Sequence, residues 1–399
     1  MSDSDRRFVT THPWLTFDVR RELGQAPALL WQLVGGIVAL TEHLGRTPVM
    51  PSYARELYKV YLAKGALATT AIEGNTLTED DVRQILDGRL RLPPSKEYLA
   101  DEVENMVGAF DRIMRNVATG SPIPLTTEVI KEWNREILKD LPLDEDVVPG
   151  EISEKGVVVG NYRGAPREDC EYLLDRLCGW LDNGLPVDGS SRMSTAVIRA
   201  NLAHLYLAWI HPFGDGNGRT ARLVEFQILA NAGVPAPAAH LLSNHFNETR
   251  SGYYRQLSHA SRSGGETAPF LIYAFQGFYD GLRGQLDKIQ RQTEELIWTQ
   301  IVDASFDSDS PANQRRRRLA NFLFRDGGTV AKSRLRQLDP VLEFAYASKT
   351  TKTLTRDLGV LLDLELIVHD ARGYRANREL VMGLFPLMAS EAGSETHES

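Results

Sequence analysis

The chain has 399 residues, of which 42% are hydrophobic and 25% charged, and its net charge is −8. That length divides into two or three domains of ordinary globular composition. The acidic balance excludes a globally basic nucleic-acid coat while leaving room for a local basic patch. The absence of a run of 18 apolar residues argues against a membrane span, and the N-terminal residues lack the basic-then-apolar pattern of a signal peptide.

Most of the chain reads as helix. From Ser52 to Ile72, the apolar residues Leu57, Val60, Tyr61 and Ala68 keep a helical spacing. Gly74-Asn75 stops that helix, because both residue types tolerate left-handed geometry. Thr78 with Asp81 forms a capping box that opens a second helix through Leu86. Further helices are expected at Ala100–Val117, Thr127–Leu138, Glu168–Leu181, Ser194–Ile210, Arg219–Ala232, Ser251–Ala260 and Phe270–Thr299. One stretch departs from this pattern. The β-branched Val157-Val158-Val159, the two-residue turn Gly160-Asn161 and Tyr162 predict a short β-hairpin within Glu151 to Gly164, lying over helices. Cys170 and Cys178 fall eight apart on one helix, about 12 Å, too far for a disulfide. They read as reduced, buried thiols of a cytoplasmic protein.

The polar segment Asp303 to Pro311 reads as a linker. Beyond it, helices are expected at Gln314–Phe324, Ser333–Leu338 and Thr350–Leu362. Leu366-Ile367-Val368 and Tyr374-Arg375-Ala376 follow, flanking a turn at Asp370 to Gly373. Three helices and a two-stranded wing describe a winged helix-turn-helix. Pro311 to Leu380 holds fourteen Lys/Arg against eight Asp/Glu. The run Arg315 to Arg318 and Lys349, Lys352, Arg356, Arg372 and Arg375 contribute to that surplus. Such a module serves either DNA binding or protein docking, and both remain open here. The tail beyond Met388 is small, polar and acidic, and is expected to be disordered.

The chemistry concentrates in the twelve residues His211 to Arg222, HPFGDGNGRTAR. Gly214, Gly216 and Gly218 permit positive φ and close approach of backbone to a ligand. A helix opening at Arg219 offers unpaired N–H groups to phosphate. Arg219 and Arg222, three apart, share one helix face and suit two phosphates. Asp215 is a hard oxygen ligand, sufficient for Mg²⁺ when phosphates supply the rest. His211 can take a proton from an attacking hydroxyl.

This segment resembles the signature of the Fic (filamentation-induced-by-cAMP) family, His-x-Phe-x-Asp/Glu-Gly-Asn-Gly-Arg-x-x-Arg, at every fixed position. The resemblance extends over roughly Ala28 to Asp287. It implies a mainly α fold with a β-hairpin flap, and transfer of AMP from ATP to Ser, Thr or Tyr of a protein, self-modification included. It implies His211 as general base and Asp215 as Mg²⁺ ligand. Gly216, Asn217 and Gly218 would form an anion hole, with Thr220 and Ala221 continuing the nucleotide-binding stretch. Arg219 and Arg222 would hold the β- and γ-phosphates. Asn247 and Tyr253-Tyr254 resemble the adenine side, though buried helix aromatics explain the tyrosines equally. The flap, from Pro149-Gly150-Glu151 to Ala165-Pro166, also resembles the family's, except that related flaps often carry Arg where this chain has Ser153.

Thr69-Thr70-Ala71-Ile72-Glu73-Gly74 matches the family's inhibitory pattern, Ser/Thr-x-x-x-Glu-Gly/Asn. The resemblance implies that Glu73 pairs with Arg222 and misplaces the ATP phosphates, with Thr69 fixing the inhibitory helix one turn earlier. The expected organisation is an N-terminal helical region with that helix (1–120), a Fic core (121–300), a winged helix-like domain (312–385) and a disordered tail (389–399). A bifunctional or de-AMPylating enzyme, a nucleotide-sensing DNA-binding regulator and a homodimer are alternatives or additions. No membrane partner is expected.

Overall fold

The computed structural model describes residues 6–47, 51–159, 162–183, 185, 192–337 and 339–382. Gly160, Asn161, Leu338, the side chain of Leu57 and the tail beyond Met388 lie outside the described residues.

The first of two compact units runs to Leu286. At its centre lie the helices Arg192–Ile210 and Asn217–Asn231, joined by the loop of residues 211–216. Arg192–Ile210 is buried on nearly every side, through Val197, Ile198, Leu202, Leu205, Tyr206, Trp209 and Ile210 among others. A helix without a polar face belongs inside a larger core. Asn217–Asn231 is buried as fully but carries polar side chains, each of which needs a partner. Gln227 receives Trp133 Nε1–H at 2.6 Å and donates to the Ile123 carbonyl at 2.9 Å. Glu225 accepts a 2.7 Å bond at His204 Nδ1, and His204 Nε2 meets the Tyr253 hydroxyl at 2.8 Å.

Around this pair stand Pro51–Ile72, Glu79–Leu86, Glu97–Ala118, Thr127–Ile137, Arg167–Asn183, Arg250–Arg262 and the start of Ala268–Ala304, within a few residues of the expected limits. The Thr78–Asp81 capping box is present. Cys170 and Cys178 are both buried and unbonded to each other. The helices Ala28–Arg46 and Leu241–Glu248, and short turns at Phe8–Thr11, Arg20–Gly24 and Ala236–Ala239, were not anticipated. Ala28–Arg46 is long and apolar enough to cross a membrane by length and composition, a property that a count of uninterrupted apolar residues misses because Gln32, Thr41 and Glu42 break the run. One face of it, Leu30, Leu33, Val34 and Ile37, is buried in this unit's core.

The hairpin forms as β1, Val158–Val159, and β2, Tyr162–Arg163, in antiparallel register Val158↔Arg163 and Val159↔Tyr162.

The second unit runs from Asp287. Trp298 stacks on Phe324 at 4.8 Å, and Leu319, Leu323, Leu354, Leu358, Leu361 and Ile367 complete its core. Its helices are Pro311–Asp326, Pro340–Ala347 and Thr351–Asp363, followed by strands β3 (Ile367–Asp370) and β4 (Gly373–Ala376). The middle helix is a correction. Residues 332–336 form a turn, and the helix begins only at Pro340. Proline disfavours helical geometry in the residue before it, and Asp339 instead caps the new helix, accepting from Val341 and Leu342 N–H at 2.7 and 3.1 Å. The run Arg315–Arg318 is also largely turned inward. Arg315 and Arg316 bond the buried Asp357, and Arg317 pairs with Asp303 and Asp309.

Candidate active site

The loop of residues 211–216 is held by its backbone shape and by two asparagines. His211 turns the chain out of its helix at φ +50°, and Gly216 caps the next helix at φ +77°. A Cβ on Gly216 would stand 2.9 Å from Asn134 Nδ2, so both its conformation and its surroundings call for glycine. Asn217 staples the loop across its width. It accepts Phe213 N–H at 3.0 Å and donates to the Phe213 carbonyl at 2.7 Å. The buried Asn134 donates to the Asp215 carbonyl at 3.0 Å and to Thr220 Oγ1 at 3.2 Å, and accepts Gly150 N–H at 2.9 Å. The side chains of Thr220 and Ala221 are buried, and Thr220 N–H is already bonded to the Gly216 carbonyl at 2.8 Å.

His211 Nδ1 lies 3.3 Å from the Ala208 carbonyl. A carbonyl only accepts, so this contact assigns the proton to Nδ1 and leaves the Nε2 lone pair available. Burial holds the imidazole below its ordinary pKa, with the Ala208 carbonyl and the charges of Glu73 and Asp215 acting in the opposite direction. The hairpin segment is tied along this loop. Ser153 N–H donates to the Pro212 carbonyl and Ala165 N–H to that of Ile210, both at 2.9 Å, and Tyr162 Oη donates to Trp209 O at 2.6 Å.

Both arginines are buried and already paired. Arg222 forms an ion pair with Glu73 and donates to the Thr69 carbonyl at 3.0 Å. The Glu73 carboxylate lies against Gly218, where a Cβ would collide with its Oε1 and stand 3.1 Å from Arg222 Nη1. Burial pushes the Glu73 carboxyl up. The guanidinium of Arg222, by charge and hydrogen bond, and the charges of Arg219 and His211 outweigh this and hold it below the usual carboxylate range. Arg219 donates from Nη1 to Glu102 Oε1 at 2.5 Å and from Nη2 to Asp215 Oδ1 at 3.0 Å. Thr69 contributes its carbonyl; among the described bonds its buried hydroxyl has no partner, contrary to the expected role of that hydroxyl. Gly74 takes φ +111°, ending the helix as expected.

Tyr254 donates its hydroxyl to the Ile72 carbonyl at 3.3 Å, and Arg250 reaches the Ala71 carbonyl at 3.4 Å. The adenine-side candidate thus closes the end of the inhibitory-pattern helix. Tyr253 belongs to the core, and Asn247 is half-buried near the end of Leu241–Glu248. Glu102 and Asn134 were missed. Glu102 had a readable signal: it falls on the stripe Leu99, Val103, Met106, Phe110 and Ile113, a charge on the buried face of its helix. The side chain of Asp215 is 47% exposed, and no group of three or more His, Cys, Asp or Glu gathers among the described residues. The Asp215 carboxylate accepts Arg219 and Gly216 N–H at Oδ1, and its half-exposed side chain is compatible with Mg²⁺, which takes few protein ligands.

Residues 124–229, which include the hairpin and the loop, match the model of the Fic/DOC family. The chain carries a Fic domain. Protein adenylyltransferase fic-1 of Caenorhabditis elegans is 30% identical over 255 residues, 64% of this chain and 46% of the relative. Protein adenylyltransferase Fic of Drosophila melanogaster is 32% identical over 205 residues, 51% of this chain and 38% of the relative. The chain thus spans less than half the length of these relatives. Two solved structures share the fold. A Fic family protein of Desulfovibrio desulfuricans superposes with TM-score 0.52 at 21% identity, covering 88% of this chain and 96% of that one. A Fic-1 fragment of C. elegans does so with TM-score 0.51 at 24% identity, covering 66% and 74%.

Proposed function

We propose that this Fic domain transfers AMP from ATP to a Ser, Thr or Tyr hydroxyl of a protein and is held inactive by Glu73. The observation that carries the reading is the Glu73–Arg222 pair lying against Gly218, an anion already seated at the mouth of a helix. A triphosphate needs the same guanidinium and the same N–H groups. The relatives named protein adenylyltransferase support the choice of AMP as the group moved.

In the active form the target hydroxyl gives its proton to Nε2 of His211 while its oxygen bonds the α-phosphorus. The bond from that phosphorus to the β-phosphate oxygen breaks, and pyrophosphate leaves. Arg219 and Arg222 hold the phosphate tail, and the N–H groups of Asn217 and Gly218 in the first turn of the helix face it, while Gly216 N–H donates to Asp215 Oδ1 at 2.5 Å. Asp215 would hold Mg²⁺, which neutralises phosphate charge when bound. The experiment is mass spectrometry of cell lysate after incubation with the Glu73→Gly chain and labelled ATP. It reads donor group, target and residue together, and a lysate without AMP-modified protein rejects the reading.

A second reading uses the same residues in reverse, with Glu73 orienting water to release AMP from a modified target. Its support is that Glu73 acts electrostatically on His211 as well as on Arg222. Release of AMP from a modified target without added ATP separates the two. For the second unit we infer a winged helix-turn-helix that meets DNA through Lys349, Lys352 and Arg356, whose side chains are exposed at the start of Thr351–Asp363.

A further inference from the structure

The segment that carries Glu73 also reaches the other arginine. Asn75 donates from Nδ2 to Glu102 Oε2 at 2.9 Å, and Glu102 Oε1 receives Arg219 Nη1 at 2.5 Å. Asn75 is itself fixed. Its Nδ2 also meets the Leu99 carbonyl at 2.9 Å, its Oδ1 accepts Leu77 N–H at 3.0 Å, and its backbone N–H bonds the Thr70 carbonyl at 3.1 Å. Each arginine of the phosphate cradle thus faces a carboxylate from outside the family-matched residues 124–229, Glu73 for Arg222 and Glu102 for Arg219.

We propose that Asn75 and Glu102 form a second inhibitory clamp, which occupies Arg219 while Glu73 occupies Arg222. This rests on the nucleotide-binding reading above and names a further control of that site. Arg219 and Glu102 are 5% and 8% exposed, and a buried ion of either sign requires a counter-ion. With no phosphate present, Glu102 serves Arg219. An arriving phosphate competes with Glu102 for the guanidinium, so the pair opposes binding. Asn75 strengthens the opposition by satisfying the second oxygen of Glu102 and keeping it in place. When the 73–75 segment withdraws, Arg222 loses its carboxylate, and Glu102 loses the donor that fixes it. One movement therefore frees Arg222 and loosens the hold of Glu102 on Arg219, which keeps Asp215 at 3.0 Å. In this scheme Glu102 and Asn75 are positioning residues, acting on phosphate only through Arg219.

The test is calorimetric titration of the full chain with MgATP, using wild type, Glu102→Gln, Asn75→Ala, the double variant and Glu73→Gly. Glu102→Gln and Asn75→Ala should each bind at least about fivefold more tightly than wild type, the lower end of coupling between linked sites. The double variant should bind no more tightly than the better single one, because both break one link. A purely structural role predicts unchanged or weaker binding. Asn75→Ala leaves the buried ion pair in place, so the test survives if Glu102→Gln does not fold. Wild-type or weaker affinity in the folded single variants, with Glu73→Gly binding MgATP, overturns the clamp alone. Failure of Glu73→Gly to bind MgATP overturns the nucleotide reading and the clamp with it.

Discussion

Glu73 and Gly218 share one space: the carboxylate of the first stands where any side chain on the second would have to be. Gly218 lies in the first turn of Asn217–Asn231, whose free N–H groups attract an anion. Glu73 reaches that position from the turn just after the helix Pro51–Ile72, well over a hundred residues earlier in the chain, and Arg222 holds it there. Removing the carboxylate should therefore open the cradle without disturbing it. Glu73→Gly is expected to raise auto-AMPylation by about tenfold or more, the scale on which a misplaced reacting group costs rate. A time course with labelled ATP checks this, and a variant no faster than wild type removes the inhibitory role.

His211 is set apart from phosphate binding by the geometry. Its ring is held by the Ala208 carbonyl, while the cradle belongs to the following helix. In the Glu73→Gly background, His211→Ala should lower transfer by about 10²–10⁴-fold, the usual contribution of a general base, and leave MgATP affinity within about twofold. Transfer at the parent rate would eliminate His211 as the base.

The same histidine sets the pH dependence. Burial depresses its folded pKa below the ordinary 6.5, so the neutral, proton-accepting form persists to lower pH than for a free imidazole. Glu73 raises that value, so deleting Glu73 should move it lower still. The acidic limb of kcat/KM in Glu73→Gly should lie below pH 6.5. A limb at or above that value would contradict the assignment.

The second unit offers a stability test independent of the site. Asp357 is 1% exposed and accepts from Arg315 at 2.7 and 3.2 Å, from Arg316 at 3.0 Å and from Tyr346 at 3.0 Å. Asp357→Ala leaves two guanidinium groups without their counter-ion, and should cost about 3–5 kcal/mol. Native-state hydrogen exchange of the backbone amides of Pro311–Asp326 and Thr351–Asp363 measures it, and a loss under about 1 kcal/mol would mean that the arginines find other partners.

Because Arg315, Arg316 and Arg317 are committed to Asp357, Asp303 and Asp309, a DNA contact would fall to Lys349, Lys352 and Arg356. Gel-shift affinity should fall with added salt, and Lys352→Ala or Arg356→Ala should each reduce the slope by about one. Affinity indifferent to salt would exclude phosphate binding by this face.

Legibility followed sequence distance. The hairpin register was readable because two β-branched residues, a two-residue turn and Tyr162 are contiguous. The capping box at Thr78–Asp81 was readable for the same reason. The middle helix of the second unit was misplaced onto Ser333 to Leu338, while the decisive signal was the Asp339-Pro340 cap just beyond it. Tyr254 was read either as an adenine-side residue or as a helix aromatic, since nothing near it in sequence shows that the end of another helix lies against its hydroxyl.

The order of residues from His211 to Arg222 was enough to predict a glycine-rich turn that opens a helix, because backbone conformation and helix-terminus charge arise within a few residues of one another. Glu73 was found by its motif, and the fold supplied the space it fills. The link from Asn75 through Glu102 to Arg219, and the grip of Asn134 on the loop, emerged only in three dimensions. Burial decided these contacts: a charge or amide enclosed by several helices must find its partner among whatever side chains packing has brought within reach, and a one-dimensional pattern does not contain that list.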